Sequence, residues 1–385
     1  MLDFEFCNPT KILFGRGTVA KLDGEIPSSA RVLILYGGES ARRAGTLDEV
    51  IQALGEREIH EFGGIEANPT FETLMDAVEL VRREKIDFLL AVGGGSVIDG
   101  VKFVAAAVSY EGDPWELVES GGKDIGSAVS FGSVLTLSAT GSEMNSISVI
   151  SRKETQAKLA FASPHVFPQF SILDPSKTFT LPARQVANGI VDAFSHVIEQ
   201  YLTYPVEARV QDRFAEGLMQ TLIEIAPKAM EEPPDYDARA NLMWVATLAL
   251  NGLIGAGVPQ DWASHRIGHE LTALYSIDHA RTLAVVMPSL LNVCRGTKKA
   301  KLLQYGERIW NITEGEDDER IDKAITKSRG FFEEVGLKTR MSDYDLGPEA
   351  IDDVLRQLET HDMVVMGERD DITLDVSRRI LEGAL

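Results

Sequence analysis

The sequence predicts an α/β domain over residues 1–180 followed by an all-helical domain over residues 181–385. Three observations lead there. Short apolar runs alternate with amphipathic stretches through the first half, the pattern of a parallel sheet with helices on both faces. Beyond Leu181, apolar residues recur at three- and four-residue spacing almost to the end, which is the period of helix. The chain has 385 residues, more than a single core usually organises.

The expected strands are KILFG (11–15), RVLILY (31–36), EIHEF (58–62), FLLAV (88–92), SVLTL (133–137) and FSILD (170–174). Helical patterns lie between several of them, as in TLDEVIQALGE (46–56) and FETLMDAVELVRREK (71–85). A β hairpin is expected within ISVISRKETQAKLAFAS (147–163). Pro182 and Ala183 open the first helix of the second half, and breakers follow at 204–205, 232–234, 252–259 and 347–348. Two lobes in one chain make a cleft, a favoured place for small ligands.

Composition is that of an ordinary globular protein, 44% hydrophobic and 25% charged. A net charge of −21 argues against nucleic acid or an anionic membrane as partner. Cys7 and Cys294 form no CxxC pair, so neither a disulfide framework nor a thiolate zinc knot is expected. The most apolar window, residues 242–258, contains Thr247 and Asn251 and ends at Pro259, which reads as a buried helix rather than a membrane span. With no basic-then-apolar start, the expectation is a cytoplasmic protein.

Three strand-to-loop junctions are rich in small residues. In FLLAVGGGSVIDGVKF, Gly93, Gly94 and Gly95 follow an apolar strand and Ser96 is placed to cap the next helix. Glycines allow close backbone approach to a phosphate, and a helix N-terminus favours its charge. Neither GxGxxG nor a P-loop is present as written. Gly37, Gly38 and Ser40 lie at the end of an earlier strand, and TLSATGSEMN (136–145) ends a later one. Ligands collect at strand carboxyl ends in doubly wound sheets, so two such loops suit a dinucleotide better than one.

The helical half carries a second pattern. In VDAFSHVIEQ (191–200), Asp192 and His196 are four residues apart and share a helical face. His265, His269 and His279 follow in DWASHRIGHELTALYSIDHA, where Arg266 stands at the position an HExxH protease needs for its glutamate. One carboxylate with three imidazoles makes a site for zinc or iron(II). Spacing pairs His265 with His269 on one helical face and leaves open which of the three downstream histidines is spare.

The run ILDPSKTFTLPARQVANGIVDAFSHVIE (172–199) resembles the signature of the iron-containing alcohol dehydrogenase family over its full length. GGGSVID, TGSE and DWASHRIGHE with SIDHA agree with it. YGGES, FGGIEANP, VPQDW and DITLDVSRRI are similar to the bacterial NADPH-dependent aldehyde reductase and butanol dehydrogenase branch. The resemblance implies a Rossmann-like NAD(P)-binding domain and an all-α metal-binding domain, in the two-domain architecture of dehydroquinate synthase. It implies Asp192, His196, His265 and His279 as ligands of one divalent metal, zinc or iron. His269 then stands near the nicotinamide and substrate as a candidate proton-relay and catalytic group. Gly94, Gly95, Ser96 and Asp99 are implied at the pyrophosphate and its loop, and Gly37, Gly38 and Ser40 at the adenosine ribose. Asn68, Thr136, Asn145 and Lys158 match positions lining the cofactor site.

The implied reaction is reversible hydride transfer between NADPH and a short- to medium-chain aldehyde, with the metal as Lewis acid, in a homodimer. Trp262 and Asn145 are expected near the substrate. Glu39 departs from the branch pattern; an acid there suits a ribose 2′-hydroxyl and repels a 2′-phosphate. Arg42 and Arg43 offset it, so NADPH is favoured and NADH is the alternative. Lys177 and Ser138 stand where an aromatic residue and a proline are common. Two rival readings of the same architecture are weighed beside this one: a dehydroquinate synthase- or glycerol dehydrogenase-like enzyme, and a non-catalytic nucleotide- or metal-binding relative. A synthase handling a densely charged phosphate needs several cations near the metal, and residues 188–200 and 260–280 supply only Arg266.

Overall fold

The computed structural model describes residues 1–385. Its strands, in chain order, are β1 (Lys11–Phe14), β2 (Arg31–Tyr36), β3 (Glu58–Phe62), β4 (Phe88–Gly93), β5 (Ser130–Leu135), β6 (Ile147–Arg152), β7 (Ala157–Ala162), β8 (Phe170–Leu173), β9 (Val365–Met366) and β10 (Ile372–Thr373), the last two a short antiparallel pair in the half expected to be all helix. Six of them form one sheet in the order β1-β8-β5-β4-β2-β3, every neighbouring pair parallel. β6 and β7 pair antiparallel as the expected hairpin. The fifth strand starts and ends earlier than SVLTL suggests, because Thr136 and Leu137 leave the sheet for the loop that follows.

A parallel sheet must be covered on both faces, and the residues of β2 show how. Leu33 and Leu35 join one apolar core with Leu89 and Ala91 of β4, against the helices Phe71–Glu84 and Gly95–Ala107. Val32 and Ile34 point the other way, into a core with Leu90, Val92, Val134 and Ile172 and the helix Thr46–Leu54. The period-2 alternation of an all-apolar strand thus feeds two cores at once. Gly132 of β5 matters because the Phe170 ring lies where its side chain would project, and that ring stacks on Phe88 at 6.1 Å and 12°.

After β2 the chain moves outward to β3 and then returns to the other side of β2 as β4. The order reverses between β2 and β4, so their carboxyl ends flank a topological switch point. Gly37-Gly38 and Gly93-Gly94-Gly95 stand at those two ends. The sheet therefore places the two glycine loops side by side.

The chain divides into two compact units. One contains Cys7–Pro182 and Pro233–Thr247; the other contains Met1–Phe6, Ala183–Glu232 and Leu248–Leu385. Pro233–Thr247 groups with the α/β unit although it reads as part of the helical half. Met243 is buried in an α/β core, Thr247 Oγ1 donates to Glu143 Oε1 at 2.5 Å, and Arg239 Nη1 donates to the Thr178 carbonyl at 2.7 Å. The apolar window 242–258 is not one helix: Tyr236–Ala249 is helical, and turns follow through Gly252, Gly255 and Gly257. The second unit is built from helices, chiefly Ala183–Tyr201, Arg209–Ala229, Ala263–Tyr275, His279–Val293, Lys299–Trp310, Asp317–Glu334 and Glu349–Thr360. No helix is long and apolar enough to cross a membrane.

Gly132→Ala should destabilise the protein by about 1–3 kcal/mol, the usual cost of overpacking a core, measured by urea unfolding. Adding Phe170→Leu should recover part of that loss; a neutral single variant would refute this account of the contact.

Candidate metal centre and nucleotide loops

Three helices of the second unit supply the acid–histidine cluster. Asp192 and His196 lie on Ala183–Tyr201, His265 and His269 on Ala263–Tyr275, and His279 opens His279–Val293. The His279 helix packs on each of the other two. Potential ligand atoms of Asp192, His265 and His279 all lie within 4.8 Å of one another. Asp192 Oδ1 is 3.7 Å from His279 Nε2. The His196 ring stacks on His265, centroids 4.8 Å apart at 24°, outside the three-residue set but adjoining it. The His269 ring centre is 5.0 Å from that of His279 and 6.4 Å from that of His265. Spacing paired His265 with His269 on one helical face; it is His279 that shares the compact set with His265 and Asp192.

The donor set fits a divalent transition metal. A carboxylate oxygen and imidazole nitrogens are the ligand types zinc and iron(II) take. Asp192, His196, His265 and His269 are buried. His196 Nδ1 is a buried nitrogen without a hydrogen-bond partner. Burial pushes the His196 imidazolium down to about 4, against the pull of Asp192, so the ring is neutral and able to donate a lone pair at ordinary pH. Trp262 flanks the cluster, its ring centre 5.1 Å from His265 and 6.2 Å from His196.

Two supporting groups lay outside the sequence reading. Glu199 Oε2 is 2.7 Å from His265 Nδ1, and Glu199 Oε1 accepts from the Ser264 amide at 2.9 Å. Burial, then nearby Asp261, pushes the Glu199 carboxyl up, while the Ser264 amide and Lys298 oppose this. Its spacing was a usable signal, since Asp192, His196 and Glu199 fall at i, i+4 and i+7 on one helical face. Asp278, just before His279, accepts from Arg184 Nη2 at 2.7 Å and from Asn188 Nδ2 at 2.9 Å. That contact ties the start of the His279 helix to the helix of Asp192.

In the α/β unit, the helix Gly95–Ala107 begins one residue before its expected cap. Gly94 is the N-cap and Ser96 sits inside the first turn. The Ser96 hydroxyl instead accepts from the Asn68 amide at 3.3 Å. Asn68 has φ +59°, and its side-chain oxygen accepts from Lys158 Nζ at 2.8 Å. A side chain at Gly95 would collide with Thr140 of the TGSE loop, which explains glycine there. The Thr136 amide donates to the Gly93 carbonyl at 2.9 Å, holding the two loops together. Gly38, Glu39 and Ser40 are exposed. Arg42 bonds Tyr36 Oη at 3.1 Å and pairs with Glu61, whereas Arg43 is exposed.

Asp99 and Asn145 serve the loop from within. Asp99 accepts from Ser142 Oγ at 2.5 Å and from the Val149 amide at 3.0 Å. Asn145 Nδ2 donates to the Gly141 carbonyl at 2.9 Å, and its oxygen accepts from Lys102 Nζ at 2.9 Å. Lys102 is fully buried and also donates to Ser142 Oγ at 2.8 Å and the Ile147 carbonyl at 2.6 Å. The lone cation in an apolar helix was the sequence signal for this pin. Burial pushes its ammonium down to about 8, against Asp99 and Glu143.

A profile described as iron-containing alcohol dehydrogenase matches residues 9–175, and one described as Fe-containing alcohol dehydrogenase family, C-terminal, matches residues 186–381. The chain belongs to the iron-containing alcohol dehydrogenase family. Among particular relatives, it is 61% identical over 386 residues to the NADPH-dependent aldehyde reductase YqhD of Escherichia coli, covering 100% of both chains. It is 39% identical to NADH-dependent butanol dehydrogenase A of Clostridium acetobutylicum, covering 93% of each. Its structure matches a crystal structure of E. coli YqhD with TM-score 0.99 at 60% identity, covering 100% of this chain and 99% of that one. It matches NADH-dependent butanol dehydrogenase A of Thermotoga maritima with TM-score 0.95 at 37% identity, covering 100% and 99%.

Lys102→Met should alter the pH dependence of stability in a defined direction. Native Lys102 gives up its proton near pH 8, whereas the unfolded lysine holds it to about 10.4. The penalty of burying the charge is full below pH 8 and fades as pH rises from there to about 10.4. The stability of wild type minus variant should therefore increase across that window in denaturant titrations. A flat difference would contradict the assignment.

Proposed function

We propose that the protein is a metal-dependent, NADPH-preferring reductase of short- to medium-chain aldehydes, working reversibly as an alcohol dehydrogenase. NAD(P)H-linked alcohol and aldehyde oxidoreduction rests on the whole-chain similarity to the aldehyde reductase and butanol dehydrogenases. The observation that carries metal dependence is the compact cluster of buried Asp192 and His265 with half-buried His279. Asp192, His196, His265 and His279 are the proposed ligands of one divalent ion, zinc or iron. When bound, the ion supplies Lewis-acid polarisation of a carbonyl and the nicotinamide supplies hydride.

The chain's own residues do the rest. Gly94, Gly95 and the amides opening the helix Gly95–Ala107 receive the pyrophosphate, where a helix N-terminus favours negative charge. Asn68, Ser96, Thr136 and Lys158 border the same loops, with Lys158 adding a cation close by. Gly37, Gly38 and Ser40 lie at the exposed end of β2, suited to the adenosine ribose. Arg43 is the exposed cation placed to meet a 2′-phosphate, because Arg42 is committed to Glu61 and Tyr36. Glu39 works against that preference. His269, beside His279 and buried, is the proposed group for moving a proton to or from the substrate oxygen. Its effect in general acid–base catalysis would be of the usual order, about 10²–10⁴. We assign a homodimer, consistent with the exposed apolar side chains of Phe4, Phe6, Val210 and Phe214, to be read by light scattering on the purified protein.

NADPH oxidation with butanal should fall on chelation and return with zinc or iron, and Asp192→Asn should abolish the recovery. Failure of every preparation to oxidise NADPH or NADH with butanal would overturn the aldehyde reading. Arg43→Ala should raise KM for NADPH about tenfold, the worth of one charge-assisted contact, and leave KM for NADH within about twofold. Equal effects on both cofactors would remove Arg43 from the discrimination.

A further inference from the structure

The helix Ala263–Tyr275 must present His265 to Asp192 and His279 with the correct ring nitrogen forward. Imidazole has two nitrogens, and a ligating histidine normally gives its other N–H to an acceptor that fixes tautomer and ring angle. In this structure Glu199 is placed to be that acceptor. Its Oε2 is 2.7 Å from His265 Nδ1, its Oε1 accepts the Ser264 amide at 2.9 Å, and its carbonyl accepts the Asp261 amide at 2.8 Å. One residue therefore grips the segment before the helix, the first turn of the helix and the ring itself.

Glu199 is held in turn. It is 4% exposed on the helix Ala183–Tyr201, the same helix that carries Asp192 and His196. Asp261, whose amide it receives, accepts the Ala263 amide at 2.9 Å through Oδ1 and pairs with Lys298 at 2.9 Å through Oδ2. Lys298 is 2% exposed and also donates to Glu368 at 2.8 Å and to the Leu202 carbonyl at 2.8 Å. A buried ammonium thus braces the acid that accepts the first amide of the His265 helix. Burying a lysine with two carboxylates is costly unless each partner is satisfied, and here the geometry satisfies them.

We propose that Glu199 is a positioning residue of the metal centre: it holds Nδ1–H of His265 so that Nε2 is the ligand atom. The proposal rests on the reading of Asp192, His265 and His279 as metal ligands. With His265 Nδ1 as donor, both Glu199 oxygens accept a hydrogen bond, so an amide at this position must set its NH₂ against either the Ser264 N–H or the His265 N–H. Glu199→Gln keeps the shape and breaks the clamp.

The test is a cobalt(II) titration of metal-stripped protein against a competing chelator, with the visible d–d bands of the bound ion recorded. Wild type should bind one ion. Glu199→Gln should bind about 10–100-fold more weakly, as supporting partners of ligands do. Its cobalt bands should shift, while its far-ultraviolet circular dichroism matches wild type. A variant with unchanged affinity and bands overturns the positioning role and leaves the metal centre standing. A wild type that takes up no cobalt overturns both. Should Glu199→Gln fail to fold, proton NMR of cobalt-loaded wild type decides. A paramagnetically shifted imidazole N–H that exchanges slowly in D₂O supports the clamp, and only fast-exchanging ring protons refute it.

Discussion

A carboxylate buried among imidazoles is the constraint on which the helical unit is organised. Asp192 is 2% exposed, and a charge so far from water needs positive charge or strong donors nearby. The surrounding helices converge to supply imidazoles from two other segments. The supporting contacts serve the same end: Glu199 turns one ring, and Asp278, gripped by Arg184 and Asn188, sets where the His279 helix begins. A cation at this place satisfies the electrostatics that the fold would otherwise carry as a cost.

The α/β unit answers a different constraint with similar means. Its helix Gly95–Ala107 is almost wholly enclosed, so it has no wet face on which to place polar residues. Two of its charged residues, the half-buried Asp99 and the fully buried Lys102, are both turned to residues 142–149 and tie them down. Loop positions that bind ligands are usually mobile, and buried charge of this kind is one way to make them rigid. The glycines leave room; Asp99 and Lys102 decide where the room is.

Most of the architecture was legible in the sequence because strands and helices here have distinct periods. RVLILY and FLLAV are uninterrupted apolar runs, as doubly covered strands must be, and FETLMDAVELVRREK has a clear helical stripe. The metal cluster was legible from spacing only as residue types, and as a set only through the family resemblance: helical spacing paired His265 with His269, whereas tertiary packing brings His279 to His265 and Asp192. Ser96 looked like a cap, yet three glycines in a row let the helix start earlier. Asp99 and Asn145 were read from their cofactor motifs, and what the motifs did not carry is their bonding, Asp99 to Ser142 and Val149, Asn145 to Gly141 and Lys102. The grouping of Pro233–Thr247 with the sheet has no local signal, since Met243 and Thr247 are unremarkable in a helix.

The scattering of the cluster along the chain has a kinetic meaning. Asp192, His265 and His279 come from three separate helices, and closing the chain between the first and the others costs entropy before any contact repays it. The ion therefore has no assembled site in the unfolded chain and binds the finished arrangement in preference to it. Occupancy then acts by mass action on the native state, slowing its loss rather than speeding its formation. Metal supply would then set how long each molecule persists.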